Sequence, residues 1–166
     1  SGAVLRTARV FFGTDKVAIT VTNSRLGLQR DFDRLSHALK EIIDARVWGV
    51  NVCDDEDYFN RKIREDVGRW QRRYGGAVGP DDVAVATIDG YVGPGYARAT
   101  PAVFDVIALV ARTEGLLLDP IYTGKAFFGM LEEIKSGRRF AGADDIVFVH
   151  TGGFFAAYSQ REQFFA

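Results

Sequence analysis

The sequence is short of cysteine, histidine, proline and surplus charge, and each shortage excludes something. One cysteine, Cys53, excludes an intramolecular disulfide and a multi-cysteine metal site. No set of residues points to a metal. Lys and Arg number 21 against 22 Asp and Glu, a net charge of −1. There is no global basic field for nucleic acid or an acidic membrane surface. No apolar run reaches the roughly 20 residues needed to cross a bilayer. The first residues, Ser1-Gly2-Ala3-Val4, lack the charged and apolar regions of a signal peptide. The expected compartment is the cytoplasm, with neither nucleic acid nor membrane as partner. No internal repeat and no low-complexity segment is present.

What is there suits a folded domain. The 166 residues are 47% hydrophobic and 26% charged, which excludes a disordered or fibrous chain. Glycine is uneven. Of 18 glycines, 14 lie from Gly68 to Gly153. Phenylalanine is abundant, at 13.

Lys16–Thr22 (KVAITVT) reads as a strand and Asp31–Ile43 as a helix. Arg46–Cys53 (RVWGVNVC) reads as a buried strand, and Asp54-Asp55 open the next helix. That helix carries an apolar stripe of Phe59, Ile63, Val67, Trp70 and Tyr74, and Gly75-Gly76 end it. Val83–Ile88 is a third strand, followed by the glycine-rich Asp89–Tyr96. Thr100 and Pro101 start a helix with Phe104, Ile107 and Ala111 inward and Gly115 as its stop. Leu116–Pro120 reads as a buried link. Gly124–Ser136 reads as a helix with Phe127, Leu131 and Ile134 inward and Gly137 as its stop. Asp145–His150 is the last strand and runs into Thr151-Gly152-Gly153. Strands alternating with helices predict an α/β fold, a three-layer α/β/α arrangement around an open, mainly parallel sheet.

Ligands bind at the carboxyl ends of strands in such sheets. Three segments qualify: Asp89–Tyr96, Asp119–Lys125 and His150–Gly153. Glycine there lets backbone approach a ligand, and a helix start offers N–H groups to an anion. None is a phosphate-binding P-loop or a dinucleotide fingerprint.

Taken together, Gly93-Pro94-Gly95-Tyr96, the run Ala111 to Ala126 (ARTEGLLLDPIYTGKA) and Val149-His150-Thr151-Gly152-Gly153 resemble one family. They look like the C-terminal part of the pyridoxal-phosphate enzymes D-cysteine desulfhydrase and 1-aminocyclopropane-1-carboxylate deaminase. The resemblance runs from about Arg46 to Tyr158. It divides the chain into 1–45, a poorly matched strand and helix, and 46–166, an α/β domain like the C-terminal part of the family's cofactor-binding domain. It implies a tryptophan-synthase β-like fold, the large-domain part, truncated to about half the length of the enzyme.

The resemblance also implies roles. Thr151 matches the hydroxyl that meets the cofactor's pyridine nitrogen in the desulfhydrase branch. The deaminase branch uses a glutamate at the position of Thr123, so threonine there favours the desulfhydrase branch. Gly152 and Gly153 would pack against the cofactor ring. Tyr122 and Tyr96 match tyrosines near the substrate, where a phenol can move a proton. Thr22, Ser24 and Gly27 are what the chain offers toward the family's phosphate loop, with bulky Arg25 and Leu26 between them. The family's cofactor-attaching lysine has no counterpart in context among Lys16, Lys40, Lys62, Lys125 and Lys135. The implied chemistry is β-elimination from D-cysteine or a related small amino acid, giving pyruvate, ammonia and sulfide, with pyridoxal phosphate as cofactor.

Other readings stay beside this one. The chain could be a non-catalytic α/β homologue that binds a small anion or another protein, or one half of a split enzyme. A homodimer and a preceding domain are the open partner readings. Tyr96 and Tyr122 also fit half-buried tyrosines with bonded hydroxyls. Cys53 reads as an inert buried thiol, His150 as a satisfied histidine and His37 as a surface one. Lys125 reads as snorkelling to solvent. Arg61, Lys62, Arg64, Arg69, Arg72 and Arg73 read as a solvated helix face with local ion pairs. Phe154, Phe155, Phe164 and Phe165 read as core, or as surface for an absent domain.

Overall fold

The computed structural model describes residues 16–22, 46–75, 79–82, 86–143 and 145–164, with the backbone alone for 16–22, 46 and 47. Four strands form one parallel sheet: β1 (Lys16–Thr22), β2 (Arg46–Asn51), β3 (Thr87–Ile88) and β4 (Asp145–Val149). Their order is β3-β2-β1-β4. Thus β1 pairs with β2 from Val17↔Arg46 to Thr22↔Asn51, and with β4 from Lys16↔Asp145 to Thr20↔Val149. The expected helix at 31–43 and the start of the third strand, 83–85, lie outside the described residues.

Among the described residues are three α-helices, α1 (Glu56–Tyr74), α2 (Pro101–Glu114) and α3 (Thr123–Ser136), of which α1 and α3 lie on the sheet. Side-chain alternation along β2 and β3 sorts the layers. Thr87 donates its hydroxyl to Asn60 Oδ1 of α1 at 3.3 Å. Val50 faces the other way, against α3, where a Cβ on Gly129 would lie 3.1 Å from Val50 Cγ1. With α2 packed on α3, the arrangement is α/β/α.

Local chemistry sets the helix ends. Asp55 caps α1 by accepting the Tyr58 N–H at 2.8 Å. Gly75, Gly115 and Gly137 end the three helices with φ near +65°. The α1 stripe is buried at Phe59, Ile63 and Val67, while Tyr74 is 63% exposed, so the stripe outruns the sheet it covers.

Val50, Val52, Ile88, Ala126, Met130 and Phe140 form the core between sheet and α3. Val103, Ile107, Val110 and Leu118 form a second cluster under α2. Phe127 and Phe148 join the two in an edge-to-face pair at 5.0 Å.

Two expectations about packing need correction. Leu117, placed in a buried link, is 55% exposed, and only Leu118, Asp119 and Pro120 of that link are buried. Ile134, expected inward, is exposed, because the buried face of α3 runs through Ala126, Gly129, Met130 and Glu133. The basic residues of α1 form a surface with local pairs, Arg61 with Glu65 and both Lys62 and Arg69 with Asp66. Among the described residues, no helix is long and apolar enough to cross a membrane.

Candidate active site

Three segments distant in sequence converge at the carboxyl edge of the sheet. Their hub is Asp119, which is fully buried. A buried carboxylate needs partners, and this one has four. Oδ1 accepts the N–H groups of Ile121 and Tyr122 at 2.8 and 2.7 Å. Oδ2 accepts the Thr123 N–H at 3.0 Å and the Thr123 hydroxyl at 2.5 Å. The Asp119 N–H in turn donates to Thr123 Oγ1 at 2.8 Å, and its carbonyl accepts the Gly124 N–H at 2.8 Å. One residue therefore satisfies the donors that open α3. Gly124 has no room for a side chain: a Cβ would lie 2.6 Å from both Asp119 O and Ile107 Cδ1.

The loop after β4 rests on this hub. A Cβ on Gly153, at φ +90°, would lie 3.2 Å from Asp119 Oδ2. His150 fixes the start of the loop. Its Nδ1 accepts the Gly152 N–H at 2.9 Å, so Nε2 carries the proton and donates it to Leu117 O at 2.9 Å. Thr151, Gly152 and Gly153 are exposed, and nothing lies within 4 Å of a Cβ position on Gly152.

The loop after β3 reaches the hub from the other side. Tyr96 and Tyr122 place their hydroxyls 2.5 Å apart, one donating to the other. Proton position on one phenol is thereby coupled to the other. Lys125 is 1% exposed and donates to the carbonyls of Val92 at 2.6 Å and Gly95 at 2.8 Å. It does not snorkel. Burial lowers its pKa, opposed by the nearby Cys53 and Asp119. Tyr91 anchors the base of the loop by donating to Glu133 Oε1 at 2.7 Å. Burial, then the bond to Glu133, pushes its pKa up to about 12.

Of the residues singled out in the sequence, Tyr122 and Gly153 meet at Asp119 and Tyr96 meets Tyr122, while Thr151 and Gly152 lie just before Gly153 in the same exposed loop. Thr123 lies beneath them, its hydroxyl committed to Asp119. Thr22 ends β1 beside Asn51, and Ser24 lies outside the described residues. Sequence reasoning marked the Asp119–Lys125 segment but singled out neither Asp119 nor Lys125 as a site residue within it, and it passed over Asn51. An aspartate just ahead of a helix is a capping signal and could have marked Asp119.

The residues present fit the flat ring of a heteroaromatic group at this edge. The exposed glycine loop offers backbone without side chains and a threonine hydroxyl beside it. Asn51, at the carboxyl end of β2, is fully buried with neither side-chain amide atom hydrogen-bonded. A buried amide left unbonded costs free energy, so this strand end carries an unmet polar demand.

Residues 35–152 match the family model for pyridoxal-phosphate dependent enzymes. The chain belongs to that family. A D-cysteine desulfhydrase from Yersinia pestis is 35% identical over 132 residues, covering 78% of this chain and 38% of that protein. The mitochondrial bifunctional D-cysteine desulfhydrase/1-aminocyclopropane-1-carboxylate deaminase of Arabidopsis thaliana is 32% identical over 121 residues, covering 73% and 29%. A crystal structure of an ACC deaminase homologue superposes with a TM-score of 0.76 over 98% of this chain and 47% of that one. At 23% identity that likeness speaks for the fold, which is the α/β fold expected from the sequence. The chain spans less than half the length of each of these relatives.

Proposed function

We propose that the chain forms the carboxyl-terminal part of a pyridoxal-phosphate dependent lyase acting on D-cysteine or a related small amino acid. The product set would be pyruvate, ammonia and sulfide. The reading rests on one observation: the Thr151–Gly153 loop and the Tyr96–Tyr122 pair share a single buried hub, Asp119. When bound, pyridoxal phosphate supplies an electron sink for charge developing at the substrate's α-carbon.

This chain's own residues do the rest of what is proposed. Thr151 holds the pyridine nitrogen through its hydroxyl. A neutral group there moderates the ring's pull on electrons. Thr123 cannot take that role as well, since its hydroxyl is turned to Asp119. Gly152 and Gly153 present bare backbone to the ring. Tyr96 and Tyr122 share one hydrogen bond at the substrate side, so that either phenol can give a proton to the substrate while the other donates a hydrogen bond to it. Thr22 and Asn51, paired at the ends of β1 and β2, lie toward the phosphate side in this reading, and Ser24 is assigned there from the resemblance alone. Lysine attachment is not assigned to a described residue: Lys62 and Lys135 sit in ion pairs, and Lys125 is held by two carbonyls. Residues 1–45 are included as a segment of lower resemblance.

Titration of the full chain with pyridoxal phosphate tests this. Bound cofactor is expected to show induced visible circular dichroism, weakened by Thr151→Val. A spectrum of free cofactor alone, without induced dichroism, would overturn the reading.

A further inference from the structure

The lysine in the first turn of α3 is in an expensive place. A cation there opposes the helix dipole, whose positive end lies at the N-terminus. It is also buried, at 1% exposure. An apolar side chain would fill the same space without either cost. What the ammonium provides instead is a grip on another segment. Its two bonds, to Val92 O at 2.6 Å and Gly95 O at 2.8 Å, reach back some thirty residues to the loop after β3.

Tyr91 anchors the start of that loop on Glu133 and Phe128, but the stretch beyond it has no regular structure. Gly90, Gly93, Gly95 and Ala97 all have positive φ, so no regular ladder runs through the loop. Gly95 O also accepts the Arg98 N–H at 3.2 Å, and Ala97 O accepts Gln160 Nε2 at 3.0 Å. Tyr96 thus stands between two fixed carbonyls. Its hydroxyl meets Tyr122, which immediately precedes the helix that carries Lys125.

We propose that Lys125 is a positioning residue: it clamps the Val92–Gly95 backbone to the start of α3 and so sets Tyr96 against Tyr122. This deepens the proposed function, since it rests on the two phenols facing substrate. Its geometric content stands apart from cofactor binding. Lys125 itself touches no reacting atom.

Lys125→Met keeps the apolar stem and removes the donors. Amide hydrogen exchange over residues 91–98 is expected to quicken about tenfold or more, the loss of two charge-assisted bonds. The ring-to-ring nuclear Overhauser contact between Tyr96 and Tyr122 is expected to vanish, with exchange in α1 unchanged. A folded variant whose exchange quickens equally in α1 would overturn the clamp. So would unchanged exchange over 91–98 with the ring contact intact. Tyr122→Phe removes the hydroxyl pair but not the clamp, and is expected to leave 91–98 protected. If Lys125→Met does not fold, the unsubstituted chain decides. A slowly exchanging Lys125 ammonium in nitrogen-detected spectra supports the clamp, and one exchanging as fast as exposed Lys135 overturns it. All these readings are taken without cofactor. Induced dichroism with pyridoxal phosphate, measured on the unsubstituted chain, then fails or succeeds independently.

Discussion

Glu133 places its carboxyl group on the buried face of α3 among several partners. Tyr91 and Arg138 donate to Oε1 at 2.7 and 3.0 Å, and Arg139 pairs with Oε2 at 3.4 Å. Removing the Tyr91 hydroxyl strips a neutral donor from a buried carboxylate, so Tyr91→Phe is expected to cost about 1–3 kcal/mol near neutral pH. The cost depends on pH in a definite direction. Folding raises the Tyr91 pKa from 10.0 to about 12, so above pH 10 the folded chain holds a proton that the unfolded chain has lost. Stability of the unsubstituted chain therefore falls from pH 10 toward 12, and the gap to Tyr91→Phe narrows. Urea midpoints of both chains across that range check it. Residues of this kind were hard to read from sequence. Glu133 and Gly129 lie on the buried face of α3 but look polar or blank to an apolar periodicity, which placed Ile134 inward instead. Lys125 reads as a surface lysine because its carbonyl partners belong to a loop some thirty residues away.

Helix boundaries were far more legible, because caps are local. Asp55, Pro101 and the stop glycines Gly75, Gly115 and Gly137 each act within a few residues of themselves. The start of α3 is the exception, since Asp119 serves it from four residues before Thr123. Asp119→Ala removes the acceptor of three N–H groups and a hydroxyl at once. Its expected cost is about 3 kcal/mol, with Asp119→Asn costing less because one oxygen remains. The unfolding midpoint in urea, at unchanged slope, measures both. A loss below about 1 kcal/mol for Asp119→Ala would show that the helix start is held by something else. The candidate site was half legible on the same grounds. Tyr96, Tyr122 and the Thr151–Gly153 loop sit in recognisable runs, while the residue that joins them offers the sequence only a capping signal and shows its joining role once the chain is folded.

At the scale of the molecule, parallel strands alternating with helices were expected, but their order was not. The sequence pattern does not say that the first described strand lies inside the sheet, with β2 on one side and β4 on the other. That position makes β1 intolerant of proline. Ile19→Pro removes a backbone donor in a strand paired on both edges, and is expected to cost more than about 3 kcal/mol. Loss of the cooperative thermal transition would show it. A transition within a few degrees of the unsubstituted chain would place β1 outside the stable core. The same order bears on how the chain comes to be made. β1 leaves the ribosome well over a hundred residues before β4, its second neighbour, which starts at residue 145. Until then one edge of the strand stands open, a template for any other extended chain nearby. Contacts of such long sequence separation form slowly. The middle of this sheet is therefore the last part of it to be completed, and a nascent chain is most prone to aggregate in the interval.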